Sequence, residues 1–152
     1  MFVTAKDDGL IPYVLTQILD ACVNGVTLSD PDLPDNPIVY VNQAFEAMSG
    51  YSQEEIVGRN CRFLQGADRE QDALATIRAA LANEEPCVVT LRNYRKNGEL
   101  FLNRLSIRPL VDREGNVIYY LGVQYDVTDQ VRTQQESEKL QFELERREDG
   151  VR

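Results

Sequence analysis

The sequence predicts an α+β domain, a five-stranded antiparallel sheet with helices on one face and a helical extension at each end. From Cys87 onward the apolar pattern takes period two through three long runs. Before that point short helical stretches alternate with two short strand-like runs, and both ends carry helical patterns. The expected boundaries are 1–24 for the N-terminal extension, 25–128 for the core and 129–152 for the C-terminal extension.

Leu10, Val14, Ile18 and Cys22, joined by Ile11, Leu15 and Leu19, fall at helical spacing and predict an amphipathic helix resting on an apolar surface. Asn24-Gly25 stops it, and Val26 to Ser29 reads as a short strand. The stretch from Asp30 to Pro37 holds three prolines and three aspartates and is a loop. Ile38 to Val41 forms a second short strand. Asn42 then caps a helix carrying Ala44, Phe45 and Met48 that ends at Gly50. Ser52-x-x-Glu55 is a capping box, and Asp68-x-x-Gln71 has the same pattern ahead of a helix with Leu74, Ile77 and Leu81 on its buried stripe.

The long strands span Cys87 to Arg95, Glu99 to Leu110 and Val117 to Val127. Asn97-Gly98 marks a tight hairpin between the first two, and residues 112–116 make a longer turn. Beyond Asp129 the chain is rich in Glu, Gln, Lys and Arg and favours a helix, read equally as a solvated extension or a dimer-forming helix. Val131, Leu140, Phe142 and Leu144 are too few for a regular heptad seam.

The chain carries 25 acidic and 16 basic residues, a formal charge of -9, which disfavours nucleic acid as a partner. No run approaches the ~20 apolar residues of a membrane span, and no signal peptide opens the chain, so a cytoplasmic location is expected. Cys22, Cys61 and Cys87 form no metal or disulfide pattern. Histidine is absent, which excludes imidazole-based catalysis and imidazole-held metal within the chain.

Two features carry chemistry. Gly58 to Gly66 brackets Cys61 with Asn60, Arg62 and Gln65, a pattern that by itself also fits a plain turn with a buried thiol. Strand alternation places Asn93 with Val89 and Leu91, Asn103 with Phe101, Leu105 and Ile107, and Gln124 with Tyr120 and Gly122. Three carboxamides thus point from adjacent strands toward one covered surface. A buried amide without a partner costs about 1–3 kcal/mol, so three together imply mutual pairing or a polar ligand. Their mixed donor and acceptor character suits the edge of a flat heterocycle, with Cys61 toward its face and Arg62 and Arg78 clamping a phosphate.

With these residues in view, the sequence resembles the light-oxygen-voltage (LOV) domains, the blue-light-sensing branch of the PAS superfamily. Asn60-Cys61-Arg62-Phe63-Leu64-Gln65 matches the family's central motif. Asn93, Asn103 and Gln124 fall at its spacing, and Asp126-Val127-Thr128 resembles its usual ending. The resemblance covers about residues 20–128 and implies a PAS fold, noncovalent FMN and a photochemical rather than enzymatic output. It implies that the Cys61 thiol adds reversibly to flavin C4a. Asn93 and Asn103 would hold the pyrimidine edge, and Gln124 would reorient beside O4 and N5. Arg62 and Arg78 would take the phosphate, and Asn60 and Gln65 the ribityl chain or phosphate. Phe63, Leu64, Ile77, Leu105 and Ile107 would form apolar walls. Arg69 is a further phosphate candidate, with a solvated loop position as its alternative.

The resemblance further suggests a short LOV protein without a fused effector, with a downstream signalling partner whose nature is unknown; the apolar stripe at residues 10–22 together with Leu140, Phe142 and Leu144 suggests a homodimer through the terminal helices. The rival readings are a PAS ligand-binding or interaction module and a flavin redox sensor, neither of which needs the Cys61 chemistry.

Overall fold

The computed structural model describes residues 10–150, with side chains from Tyr13 onward. The beginning of the N-terminal extension, the side chains of Leu10 and Ile11, and residues 151–152 lie outside the described set. The elements are α1 (Leu10–Ala21), β1 (Gly25–Ser29), β2 (Ile38–Val41), α2 (Gln43–Ser49), α3 (Gln53–Ile56), a 3₁₀ helix (Cys61–Gln65), α4 (Asp72–Ala82), β3 (Cys87–Tyr94), β4 (Leu100–Val111), β5 (Val117–Asp126) and α5 (Thr128–Gly150).

The five strands form one sheet in the order β2-β1-β5-β4-β3, with every neighbouring pair antiparallel. The expected meander is β3-β4-β5, joined at Gly98, whose φ of 87° sits in the left-handed region of the hairpin turn. The β1 strand then pairs along β5, matching Gly25 with Gln124 and Thr27 with Gly122. This long-range pairing closes the core. Helices α2 to α4 and the 3₁₀ helix cover one face, packing Phe45, Ile56 and Leu64 against Ile38 and Val41. Leu74, Ile77 and Leu81 of α4 pack on Leu91, Leu105, Ile107 and Tyr120.

The local signals in the first half hold in detail. The Asn42 side chain caps α2, Gly50 closes it in the left-handed conformation, and Ser52 and Glu55 form a reciprocal capping box. The Asp68-x-x-Gln71 expectation is corrected. Gln71 occupies the N-cap position of α4 without a side-chain cap, and both residues reach the sheet instead. Gln71 accepts from Arg92 N at 2.8 Å and donates to Arg92 O at 3.0 Å, pairing like an extra strand residue. Asp68 takes Arg92 Nε at 2.7 Å and the Tyr94 hydroxyl at 2.8 Å. A carboxylate offered a guanidinium fork and a phenol makes stronger bonds there than at a helix end.

Among the described residues of the expected α1 stripe, little is covered within one chain. Leu19 packs on the Leu28, Tyr40 and Tyr119 cluster, on the sheet face opposite Thr27 and Tyr120. Val14, Leu15 and Ile18 are exposed. The helix is tied by its C-terminal end, where the Tyr40 hydroxyl donates to Asp20 Oδ1 at 3.0 Å. Asn42, fully buried, supplies a stronger tether. Its amide donates to Leu19 O and Asn24 O at 2.8 and 2.9 Å, and its oxygen accepts from Val26 N and Phe45 N at 2.8 and 3.1 Å. One side chain therefore joins α1, β1 and α2. Among the described residues no helix is long and apolar enough to cross a membrane.

Replacing Asn42 with Ala removes the side-chain partner of Val26 N, Phe45 N and Asn24 O, while Leu19 O keeps Cys22 N at 3.2 Å, and should cost about 2–4 kcal/mol in denaturant unfolding. Asp68 gives a pH signature. The Arg92 and Tyr94 bonds lower its carboxyl to about 2 from an ordinary 3.8. A depressed carboxyl stabilises the fold above its unfolded value and loses that contribution as pH falls through the folded one. The stability gap between wild type and Asp68→Asn should be full above pH ~4 and shrink toward pH ~2 in acid denaturation series.

Candidate functional site

The helical layer and the sheet enclose a cavity of about 310 Å³, at the lower end of the range for small-molecule sites. The strands place Thr27 and Ser29 of β1, Leu91 and Asn93 of β3, Asn103, Leu105 and Ile107 of β4, and Tyr120, Gly122 and Gln124 of β5 on its floor. Asn60, Cys61, Arg62, Leu64 and Gln65 approach from the 3₁₀ helix and its cap. Ile77 and Arg78 come from α4.

The sequence-predicted residues thus converge on one space, with Phe63 as the exception. Its ring meets Tyr51 edge-on at 5.2 Å and lies under the Arg59 guanidinium, in the neighbouring apolar cluster. In a 3₁₀ helix residues three apart eclipse, so Cys61 and Leu64 share the cavity side while Phe63 turns away. The apolar-wall expectation is corrected for this residue.

The carboxamides are buried: Asn93 and Asn103 are each 1% exposed, and Gln65 and Gln124 each 4%. Asn103 Nδ2 donates to Asn93 Oδ1 at 3.0 Å, and Asn93 Nδ2 donates to Arg92 O at 3.1 Å. Gln124 Nε2 donates to Thr27 Oγ1 at 3.1 Å. Four amide oxygens keep no partner, those of Asn36, Gln65, Asn103 and Gln124, and all four residues line this cavity. An isolated unpaired polar atom costs about 1–3 kcal/mol, and four facing one space mark a polar ligand site.

Charge is sorted as well. Among the described residues the cavity wall holds Arg62, Arg69 and Arg78 and no carboxylate, although the chain as a whole is strongly acidic. Arg69 Nε donates to Gly66 O at 2.9 Å, and Arg62 forms a two-pronged ion pair with Asp35, its NH1 prong at 2.9 Å. The Arg62 bond holds the Asp35 carboxyl below its usual value. Asn60 fixes the same corner, accepting from Arg62 N at 3.0 Å and donating to Asp35 O at 2.7 Å. Cys61 lines the cavity and is exposed, with protein atoms packed densely around its thiol. Desolvation by those atoms pushes its pKa up, outweighing Arg62, so it rests as a neutral thiol.

Sequence reasoning missed Thr27, Ser29 and Asn36. Alternation along β1 puts Thr27 and Ser29 on one face, but only the β1–β5 register shows that this face meets Gln124. Asn36 sits in the proline-rich loop with φ 46°, where no periodicity exists to read.

The fold and this site define a PAS domain. The model of the PAS domain family matches residues 23–129, and the chain belongs to that family. Within it the chain is a LOV domain. It is 42% identical to a solved light-oxygen-voltage domain, described in work on a flavin analogue, at a TM-score of 0.73, over 88% of this chain and 99% of that one. A blue-light photoreceptor of Listeria innocua is 41% identical over 88% of this chain and 52% of its own length. Blue-light-activated histidine kinase 1 of Erythrobacter litoralis is 47% identical over 74% of this chain and 31% of its own. The chain therefore spans about half the length of the first relative and under a third of the second.

Proposed function

We infer that the chain is a blue-light sensor that binds FMN without a covalent bond and responds by reversible addition of the Cys61 thiol to flavin C4a. The observation that carries this reading is the convergence of four unpaired amide oxygens, three arginines and one neutral thiol on a single cavity. The residues fit the group. Carboxamides match the donor and acceptor edge of the ring, and Leu64, Ile77, Leu105 and Ile107 offer apolar cover for its faces. When bound, the flavin supplies blue absorption and the electrophilic carbon.

The protein's share is geometry, exclusion of water and proton custody. Asn93 and Asn103 position the pyrimidine edge, their mutual bond fixing the orientation of both amides. Arg62, Arg78 and Arg69 face the phosphate, and Asn60, Gln65 and Asn36 the hydroxylated chain. The Cys61 Sγ holds its proton in the dark because the protein atoms packed around it disfavour the thiolate. Gln124 answers a change in protonation at the ring with a change in amide orientation. The output is conformational, not enzymatic, and is handed to a signalling partner through the terminal helices. Tyr13, Val14, Leu15 and Ile18 of α1, and Leu140, Phe142 and Leu144 of α5, are exposed and supply the apolar surface of a homodimer.

Two measurements check this. The purified protein should show a flavin absorption band that bleaches under blue light and recovers in the dark. Cys61→Ala should retain the band and lose the reversible bleaching, whereas a colourless wild-type protein would end the reading. Sedimentation or scattering should give a dimer, and a strict monomer both dark and lit excludes the proposed assembly.

A further inference from the structure

We propose that Thr27 is a positioning residue for Gln124, its hydroxyl keeping the buried carboxamide hydrogen-bonded in both of the orientations that amide can take. The inference rests on the flavin reading above, in which Gln124 reorients.

Thr27 and Gln124 are 8% and 4% exposed, and Gln124 Nε2 donates to Thr27 Oγ1 at 3.1 Å. The sheet register makes them diagonal neighbours on one face, with Thr27 opposite Gly122 and Gln124 opposite Gly25. The two glycines make the space. A Cβ at position 122 would lie 2.5 Å from Thr27 Oγ1 and 2.8 Å from Gln124 Nε2, occupying the hydrogen bond itself. A Cβ at position 25 would lie 3.3 Å from Gln124 Oε1. The amide is thus flanked on both sides by residues without side chains, and the neighbouring strand offers it one hydroxyl.

A hydroxyl is the side-chain group suited to that place, because it carries one donor and two acceptor positions and its proton rotates freely. With Nε2 toward it, Thr27 accepts. After a half-turn that brings Oε1 toward it, the O–H rotates and donates. The Thr27 side of the amide is paired either way, while the cavity side changes from an acceptor to a donor. The two orientations then differ mainly in what the cavity side meets, and the ligand decides between them. Valine has nearly the same shape and no hydroxyl, so it would leave the Thr27 side of the amide bare in both orientations.

The test is isotope-edited infrared spectroscopy on the flavin-loaded protein with labelled glutamine, assigning the Gln124 carbonyl by its loss in Gln124→Leu. Thr27→Val should move that band to higher frequency in the dark-adapted state, since the amide loses one hydrogen bond. Thr27→Ser, which keeps the hydroxyl, should return it to the wild-type position. Coincident Gln124 bands in wild type and Thr27→Val overturn the proposal, as does a Thr27→Ser band that follows Thr27→Val. Illumination separates the two levels of inference. A wild-type Gln124 band that ignores blue light removes the adduct reading, and the dark comparison still reports on Thr27.

Discussion

The pairing of β1 with β5 is the constraint on which the remainder of the domain depends. It joins residues about a hundred positions apart and puts the strand that follows α1 beside the strand that precedes α5. Loop closure over that distance is entropically costly, and the offsetting gain is the burial of Val26, Leu28, Tyr119 and Tyr120 together with a full antiparallel ladder. The same register makes the site. Gly25 and Thr27 can stand beside Gln124 and Gly122 only in this alignment, since a slip of one residue would turn every side chain of β1 to the opposite face.

Electrostatics follow from the same arrangement at a smaller scale. The chain as a whole is acidic, while three arginines at one cavity offer a small anion a local fork. Arg62 is held by Asp35, whose backbone lies in the left-handed region at φ 67° and whose carbonyl is tied by Asn60. That corner is exposed, so its ion pair counts for orientation more than for stability. Its effect is to aim the 3₁₀ helix, and with it Cys61, at the cavity.

Much of this was legible in the sequence because the signals were local. Asn42, Gly50, the Ser52–Glu55 box and the Asn97-Gly98 turn are chemical statements that need no tertiary context. Alternation along β3, β4 and β5 located Asn93, Asn103 and Gln124 because the strands keep period two around these residues, although Tyr119 and Tyr120 of β5 are buried on opposite faces. The failures have physical causes of the same clarity. Asp68 and Gln71 had the right residues for a capping box, and stronger partners on β3 took them. Phe63 shared a motif with Cys61 but not a helix face. Asn36 and Thr27 depend on where a loop and a short strand land, which only the fold determines.

The ends of β5 show how a change inside the cavity can leave it. Two residues beyond Gln124 the strand stops at Asp126, whose carboxylate accepts from Arg95 at 2.7 Å on one oxygen and from Thr128 N at 3.0 Å on the other. Arg95 also stacks on Phe101 at 4.5 Å and donates to Met48 O at the end of α2. Thr128 in turn accepts from Leu102 N at 2.9 Å as α5 begins. At its other end of influence, Gln124 faces Gly25, next to the Asn24 carbonyl that Asn42 binds along with Leu19 of α1. Packed elements of this kind shift as units, not by gradual deformation. A rotation of one amide is therefore adjacent, through named hydrogen bonds, to the roots of both terminal helices. Tyr13, Val14, Leu15 and Ile18 of the first helix and Leu140, Phe142 and Leu144 of the last are exposed, so in the proposed function the amide that reorients and the apolar surfaces that would transmit its change are joined through the same two strands.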